Sequence, residues 1–240
     1  MAAERSWTRH EGKPGGYQRV PFELGRSCLV IVDVQRYWTE PSGPFGSGIE
    51  AGFPDIFAYF YNRLARTVRP NLARLLGLYR ANGLPVVHVV TGSAREDGTD
   101  FLFHMQRRFA RGGKAAGSFN ALRIGSEWHA EADEVAPLPG EIVVNKTTRS
   151  AFNSTGIDQL LRHMRVEQLV VGGLASNACV QATAQDGADR GYETFLAEDC
   201  CAAFSVESHA PVFDNFHWIF GSVLLTSDIV GAEGAGGARS

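Results

Sequence analysis

The sequence predicts an α/β fold: a central parallel sheet of about six strands, with helices on both faces. Three observations carry this. Short, nearly continuous apolar runs rich in Val and Ile recur along the chain, as strands buried on both faces do. Stretches with helical apolar spacing lie between them, which is the alternation of βαβ units. Asn82-Gly83 and Gly191 stand where helices are expected to stop.

The elements follow in order. Residues 1–26 form a polar N-terminal arm. Cys28 to Asp33 is a β-branched run and reads as the first buried strand. Leu64, Val68, Leu72, Leu75, Leu76 and Tyr79 fall at helical spacing within 56–82, with a break expected near Pro70. Pro85 to Val90 is the second strand, residues 92–140 are irregular, and Ile142 to Val144 is the third strand. Ile157, Leu160, Leu161 and Met164 mark a helix, and Gln168 to Val171 is a fourth strand running into Gly172-Gly173. Asn177 to Arg190 reads as a helix, Tyr192 to Leu196 as a fifth strand, 206–218 as a helix and Gly221 to Leu225 as a sixth strand. One domain over 27–230 is therefore expected, followed by a Gly-rich tail at 231–240.

Composition narrows the function. The chain has 240 residues, 44% hydrophobic and 20% charged, with a net charge of -3. That balance is globular rather than disordered and gives no basic excess that would suggest nucleic acid. No apolar run reaches the roughly 18 residues of a membrane span, and the polar N-terminus lacks the apolar core of a secretory signal. The expectation is a cytoplasmic protein. The four cysteines, Cys28, Cys179, Cys200 and Cys201, form no metal-type spacing. Adjacent Cys200 and Cys201 read as two small apolar side chains at a strand end rather than as a vicinal disulfide.

Chemistry gathers at the carboxyl ends of strands in such sheets. Asp33 ends the first strand, Lys146 follows the third and Cys179 lies just past the fourth. A thiol at a helix start, beside an ammonium, is expected to have a lowered pKa and to act as a nucleophile. Backbone N–H groups at that helix start can hold a developing oxyanion. Asp33 can carry a proton between thiol and leaving amine.

The same residues carry a family resemblance. Leu29-Val30-Ile31-Val32-Asp33-Val34-Gln35 with Trp38, then Val143-Val144-Asn145-Lys146-Thr147 with Ser150-Ala151-Phe152 and Thr155, resemble two segments of the isochorismatase-like cysteine hydrolases. Gly172-Gly173-Leu174-Ala175-Ser176-Asn177-Ala178-Cys179-Val180 resembles that family's nucleophile segment, and Glu198-Asp199, His209 and Phe220-Gly221 also fit. The resemblance implies a three-layer sandwich and a Cys179, Lys146, Asp33 triad that hydrolyses a carboxamide, carbamoyl or ureido C–N bond through an acyl-enzyme. It implies a cis peptide at Leu174–Ala175, oxyanion donors at the Ala178 and Cys179 N–H groups, and a homodimer or homotetramer. The arm of residues 1–26 and the stretch Phe53 to Tyr61 are the candidate subunit contacts. The metal-binding members carry Asp-x-His and a further His after the first strand; residues 34–60 contain no His. No metal and no cofactor are therefore expected. The presence of Cys179 favours amide hydrolysis over the vinyl-ether cleavage of isochorismate.

Specificity is fainter. The nearest implied branch acts on ureidoacrylate, biuret or N-carbamoyl compounds, but Phe216 stands where the biuret enzymes place a Gln. Trp38, Phe152, Phe216 and Trp218 are candidates for an aromatic pocket wall, although aromatics at these spacings also build cores. Arg149 is a candidate partner for a substrate carboxylate or carbonyl, with a solvated loop arginine as the alternative. Gln35 either contacts substrate or orients the loop around Asp33. The basic run of His104, Arg107, Arg108, Arg111 and Lys114 reads as a lid, a subunit contact or a solvated helix face. A non-catalytic binding module on the same fold is the competing class. A dinucleotide oxidoreductase is disfavoured, because no G-x-G-x-x-G follows the first strand.

Overall fold

The structure is a computed structural model that describes Trp7 and residues 16–103, 105–107 and 119–232. Six parallel strands form one sheet in the order β3-β2-β1-β4-β5-β6: β1 Ser27–Val32, β2 Val86–Thr91, β3 Ile142–Lys146, β4 Gln168–Leu174, β5 Glu193–Ala202 and β6 Ser222–Leu224. The central pair is in register from Ser27 opposite Gln168 to Val32 opposite Gly173. Successive strand side chains point to opposite faces, and β1 feeds both layers. Leu29 and Ile31 join one core with Leu72, Leu75, Leu76 and Tyr79, whereas Cys28, Val30 and Val32 join the other with Ile157, Leu161, Ala184 and Phe213. Each such fully buried aliphatic side chain stabilises the fold by about 1.5–3 kcal/mol.

The helices are α1 Arg36–Thr39, α2 Pro44–Gly52, α3 Pro54–Arg63, α4 Arg69–Ala81, α5 Ile157–His163, α6 Gln181–Asp189, α7 Val206–Ile219 and α8 Thr226–Gly231. Pro44 and Pro54 open α2 and α3, where a missing N–H costs nothing. The expected break near Pro70 is a widened π turn at Leu64–Val68, after which α4 continues. Proline lacks the donor for its own turn, and the preceding turn opens instead of the helix ending. No helix among the described residues is long and apolar enough to cross a membrane.

Four strands run past their expected ends, to Thr91, Lys146, Leu174 and Ala202. Polar residues there find partners inside the fold. Glu198 pairs with Arg63 at 2.7 Å, and Asp199 accepts from the Thr226 N–H at 2.9 Å. Cys200 and Cys201 are free thiols buried in β5. The described part of the arm docks on its own chain: the Tyr17 N–H donates to the Trp218 carbonyl at 2.6 Å, and the Glu23 N–H donates to Gln168 Oε1 at 2.8 Å. Phe60 and Tyr61, expected at a subunit contact, are buried at 1% and 8% exposure. His104, Arg108, Arg111 and Lys114 of the basic run lie outside the described residues, as does 233–240 of the tail.

Candidate active site

Asp33 follows β1 directly and adopts φ 52, a left-handed conformation that Asp tolerates better than most residues. Its N–H donates to the Val89 carbonyl at 2.8 Å, which holds the turn against β2. Asp33 Oδ1 accepts from Thr91 Oγ1 at 2.9 Å and Oδ2 accepts from Lys146 Nζ at 2.7 Å. Lys146 Nζ also donates to Thr91 Oγ1. The ends of β1, β2 and β3 thus meet in one ion pair, buried at 0% exposure for the Lys146 side chain and 5% for Asp33. Burial opposes the Lys146 charge, but Asp33 and Cys179 outweigh it and hold the ammonium above the ordinary lysine range.

Cys179 sits in a second π turn, Ser176–Val180, between β4 and α6. The Leu174–Ala175 peptide that enters this turn is cis. The thiol interacts with both Asp33 and Lys146 and is pushed up to about 12, chiefly by burial and then by the Asp33 carboxylate, with Lys146 pulling the other way. This corrects the expected lowering. The sequence argument counted the ammonium and the helix start but neither the burial of the thiol nor the carboxylate that already neutralises the ammonium. The Ala178 N–H donates to the Ala175 carbonyl at 3.0 Å, so one of the two expected oxyanion donors is shared with the turn itself.

Behind the turn lies a buried polar network that the sequence reading did not connect. Ser176 Oγ and His209 Nδ1 are 2.8 Å apart, and His209 Nε2 lies 2.7 Å from Glu198 Oε1. Arg63 pairs with the same carboxylate oxygen and donates from Nε to the Cys201 carbonyl at 2.8 Å. Burial pulls the His209 imidazole below its ordinary value despite the Glu198 hydrogen bond.

Asp33, Thr91, Lys146 and Cys179 open into a cavity of about 280 Å³. Trp38, Phe45, Ile49, Phe60 and Phe204 line it, with Arg149 also among the lining residues. Of the residues expected at substrate, Trp38 and Arg149 are among the lining of this cavity. Gln35 is not: it is 0% exposed, and its amide donates to the Thr91 and His129 carbonyls and accepts from the Thr91 N–H, each at 2.9 Å. Phe152 lies in the core under Arg190, 4.9 Å from the guanidinium. Phe216 is fully buried and stacks on Phe220 at 5.9 Å. Trp218 lies against Gly16 of the arm. All three fill packing sites away from the cavity. The sequence reading missed Thr91, Phe45, Ile49, Phe60 and Phe204. Thr91 was legible as the next residue of the second strand; Phe45 and Ile49 form an i, i+4 pair behind Pro44. No group of three or more His, Cys, Asp or Glu side chains among the described residues is placed to hold a metal ion.

The isochorismatase domain profile matches residues 27–228. The chain belongs to the isochorismatase family. Among family relatives, it is 29% identical to the ureidoacrylate amidohydrolase RutB of Methylobacterium radiotolerans, over 97% of this chain and 88% of that protein. It is 25% identical to an N-carbamoylsarcosine amidase of Arthrobacter sp, over 77% of this chain and 62% of that protein. The isochorismatase fold is shared with a cysteine hydrolase from Pseudomonas syringae pv. phaseolicola, at a TM-score of 0.76 and 22% identity over 94% of this chain and 99% of that one.

Proposed function

We propose that this isochorismatase-family chain is a cysteine-dependent amidohydrolase. It cleaves a C–N bond in a small carboxamide, carbamoyl or ureido compound through a thioester. The observation that carries this reading is the joining of Asp33, Lys146 and Cys179 at the floor of one cavity, with Lys146 Nζ 2.7 Å from Asp33. The amidohydrolase names of the relatives support it.

Burial and the Asp33 carboxylate oppose a resting thiolate, so attack and deprotonation go together. Asp33 accepts the thiol proton as sulfur bonds to the carbonyl carbon, and Lys146 steadies the charge that builds on sulfur. The Cys179 and Ala178 N–H groups receive the oxyanion. Asp33 returns the proton to nitrogen, the C–N bond breaks and ammonia or an amine leaves. Water then attacks the thioester as Asp33 takes its proton; the C–S bond breaks, the acid leaves and the proton returns to sulfur. On the same reading the enzyme acts in the cytoplasm as a homodimer or homotetramer, without a metal, a cofactor, nucleic acid or a membrane.

Ammonia release from a panel of small amides and ureido acids tests this. Wild type is expected to turn over at least one compound, and Cys179→Ala to lose at least about 1000-fold in kcat with an unchanged thermal midpoint. Full activity in Cys179→Ala overturns the mechanism.

A further inference from the structure

The catalytic floor accounts for only one end of the cavity. Its polar groups are occupied with one another: Asp33 with Lys146 and Thr91, and the Thr148 hydroxyl with the Ser150 carbonyl at 2.7 Å. The rest of the wall is mostly aromatic and aliphatic, with Tyr37, Thr147 and the buried Trp38 Nε1, which has no hydrogen-bond partner among the described residues, as its few polar groups. Trp38 and Phe45 meet edge to face with centroids 5.0 Å apart, Phe45 lies 5.8 Å from Phe204, and Phe60 lies 5.0 Å from Phe204. Ile49 completes this side. Arg149 is an exposed lining residue with no hydrogen-bond or ion-pair partner among the described residues.

We infer that the substrate carries a ring-sized apolar substituent beside the scissile carbamoyl or carboxamide, and a carboxylate that reaches Arg149. Trp38, Phe45, Ile49, Phe60 and Phe204 are its specificity determinants. A compact polar acyl group placed against this wall loses its water and gains few hydrogen bonds in return. An aromatic or large branched group gains buried area, and a ring finds edge-to-face partners. The size fits: a cavity of about 150 Å³ takes a benzene ring, and this one of about 280 Å³ has room for a ring and a carbamoyl group. N-carbamoyl derivatives of aromatic or large aliphatic amino acids combine all three features.

The chemistry rests on the amidohydrolase reading above; the binding preference does not. For such a compound, sulfur bonds to the carbamoyl carbon, the C–NH2 bond breaks and ammonia leaves with the thiol proton. Water then frees a carbamate, which falls apart to CO2 and the amino acid.

Calorimetric titration of the Cys179→Ala protein with N-carbamoyl-phenylalanine and with N-carbamoylglycine tests the preference without turnover. The ring compound is expected to bind about 10- to 100-fold tighter, the worth of one buried aromatic group. Phe204→Ala on that background is expected to narrow the ratio to about three-fold or less; Ile49→Ala serves if that variant does not fold. Equal affinities, a preference for the glycine compound or no binding of either overturns the inference. Turnover by wild type is read separately. Selective binding without ammonia release leaves this inference standing and removes the amidohydrolase reading. Equal binding with ammonia release does the reverse.

Discussion

At the scale of single residues, Asp33 governs the reactivity of Cys179. Its carboxylate raises the thiol pKa and Lys146 lowers it, on top of a larger upward push from burial. Of the two charges Asp33 acts more strongly on the sulfur, so removing the carboxylate lowers the thiol pKa. Asp33→Asn is therefore expected to abolish turnover and yet to react at least about ten-fold faster with iodoacetamide at pH 7, since one pKa unit is ten-fold in thiolate. The labelling rate across pH, read by mass spectrometry of the Cys179 peptide, checks this; an unchanged or slower rate contradicts it. The positions of Asp33, Lys146 and Cys179 were legible because each follows a recognisable buried strand. The direction of the thiol shift was not, because it depends on how deeply the fold buries the sulfur and on which charges touch it. The aromatic candidates divided for the same reason. Trp38 lines the cavity, while Phe152, Phe216 and Trp218 fill core or arm contacts, and spacing alone cannot tell a wall from a core.

At the scale of elements, strand centres were legible and strand ends were not. The apolar runs placed all six strands, but β4 continues through Gly172-Gly173 to Leu174. Gly173 explains the continuation. It adopts φ +120, and a Cβ there would lie 2.0 Å from the Val32 carbonyl oxygen. Only glycine lets β4 close on β1 at the point where its register with β5 shifts, between Val171 and Gly173. Gly173→Ala is expected to lower the thermal midpoint by about 10 °C or more, as a destabilisation of several kcal/mol would in a domain of this size. A midpoint within about 2 °C of wild type contradicts that. The short α2 escaped notice because its nine residues include Gly46, Gly48 and Gly52, which weaken a helical pattern.

At the scale of the whole molecule, the sequence carried the fold class but not the strand order. Alternating patterns say that strands are parallel and covered; which strand neighbours which depends on the handedness of the crossovers and the direction of winding. In this order β1 and β4 are central, with β2 and β3 on one side and β5 and β6 on the other. The winding reverses between the strands that lead to Asp33 and Cys179, the place where open α/β sheets leave a crevice. The same architecture protects the other thiols: Cys28, Cys200 and Cys201 are all 0% exposed, and Cys179 alone is half-buried. Ellman's reagent is expected to titrate at most one thiol in the native protein and four in non-reducing denaturant. Two in denaturant would reveal a disulfide. A separation of duties also follows from the layout. The proposed reacting groups stand on strand ends and the turn after β4, whereas Trp38, Phe45, Ile49 and Phe60 come from one continuous stretch, Arg36–Arg63, outside the sheet. On the proposed reading, selection can therefore redraw most of what the cavity accepts by editing one short segment, with Phe204 and Arg149 outside it, while the proposed triad is inherited unchanged.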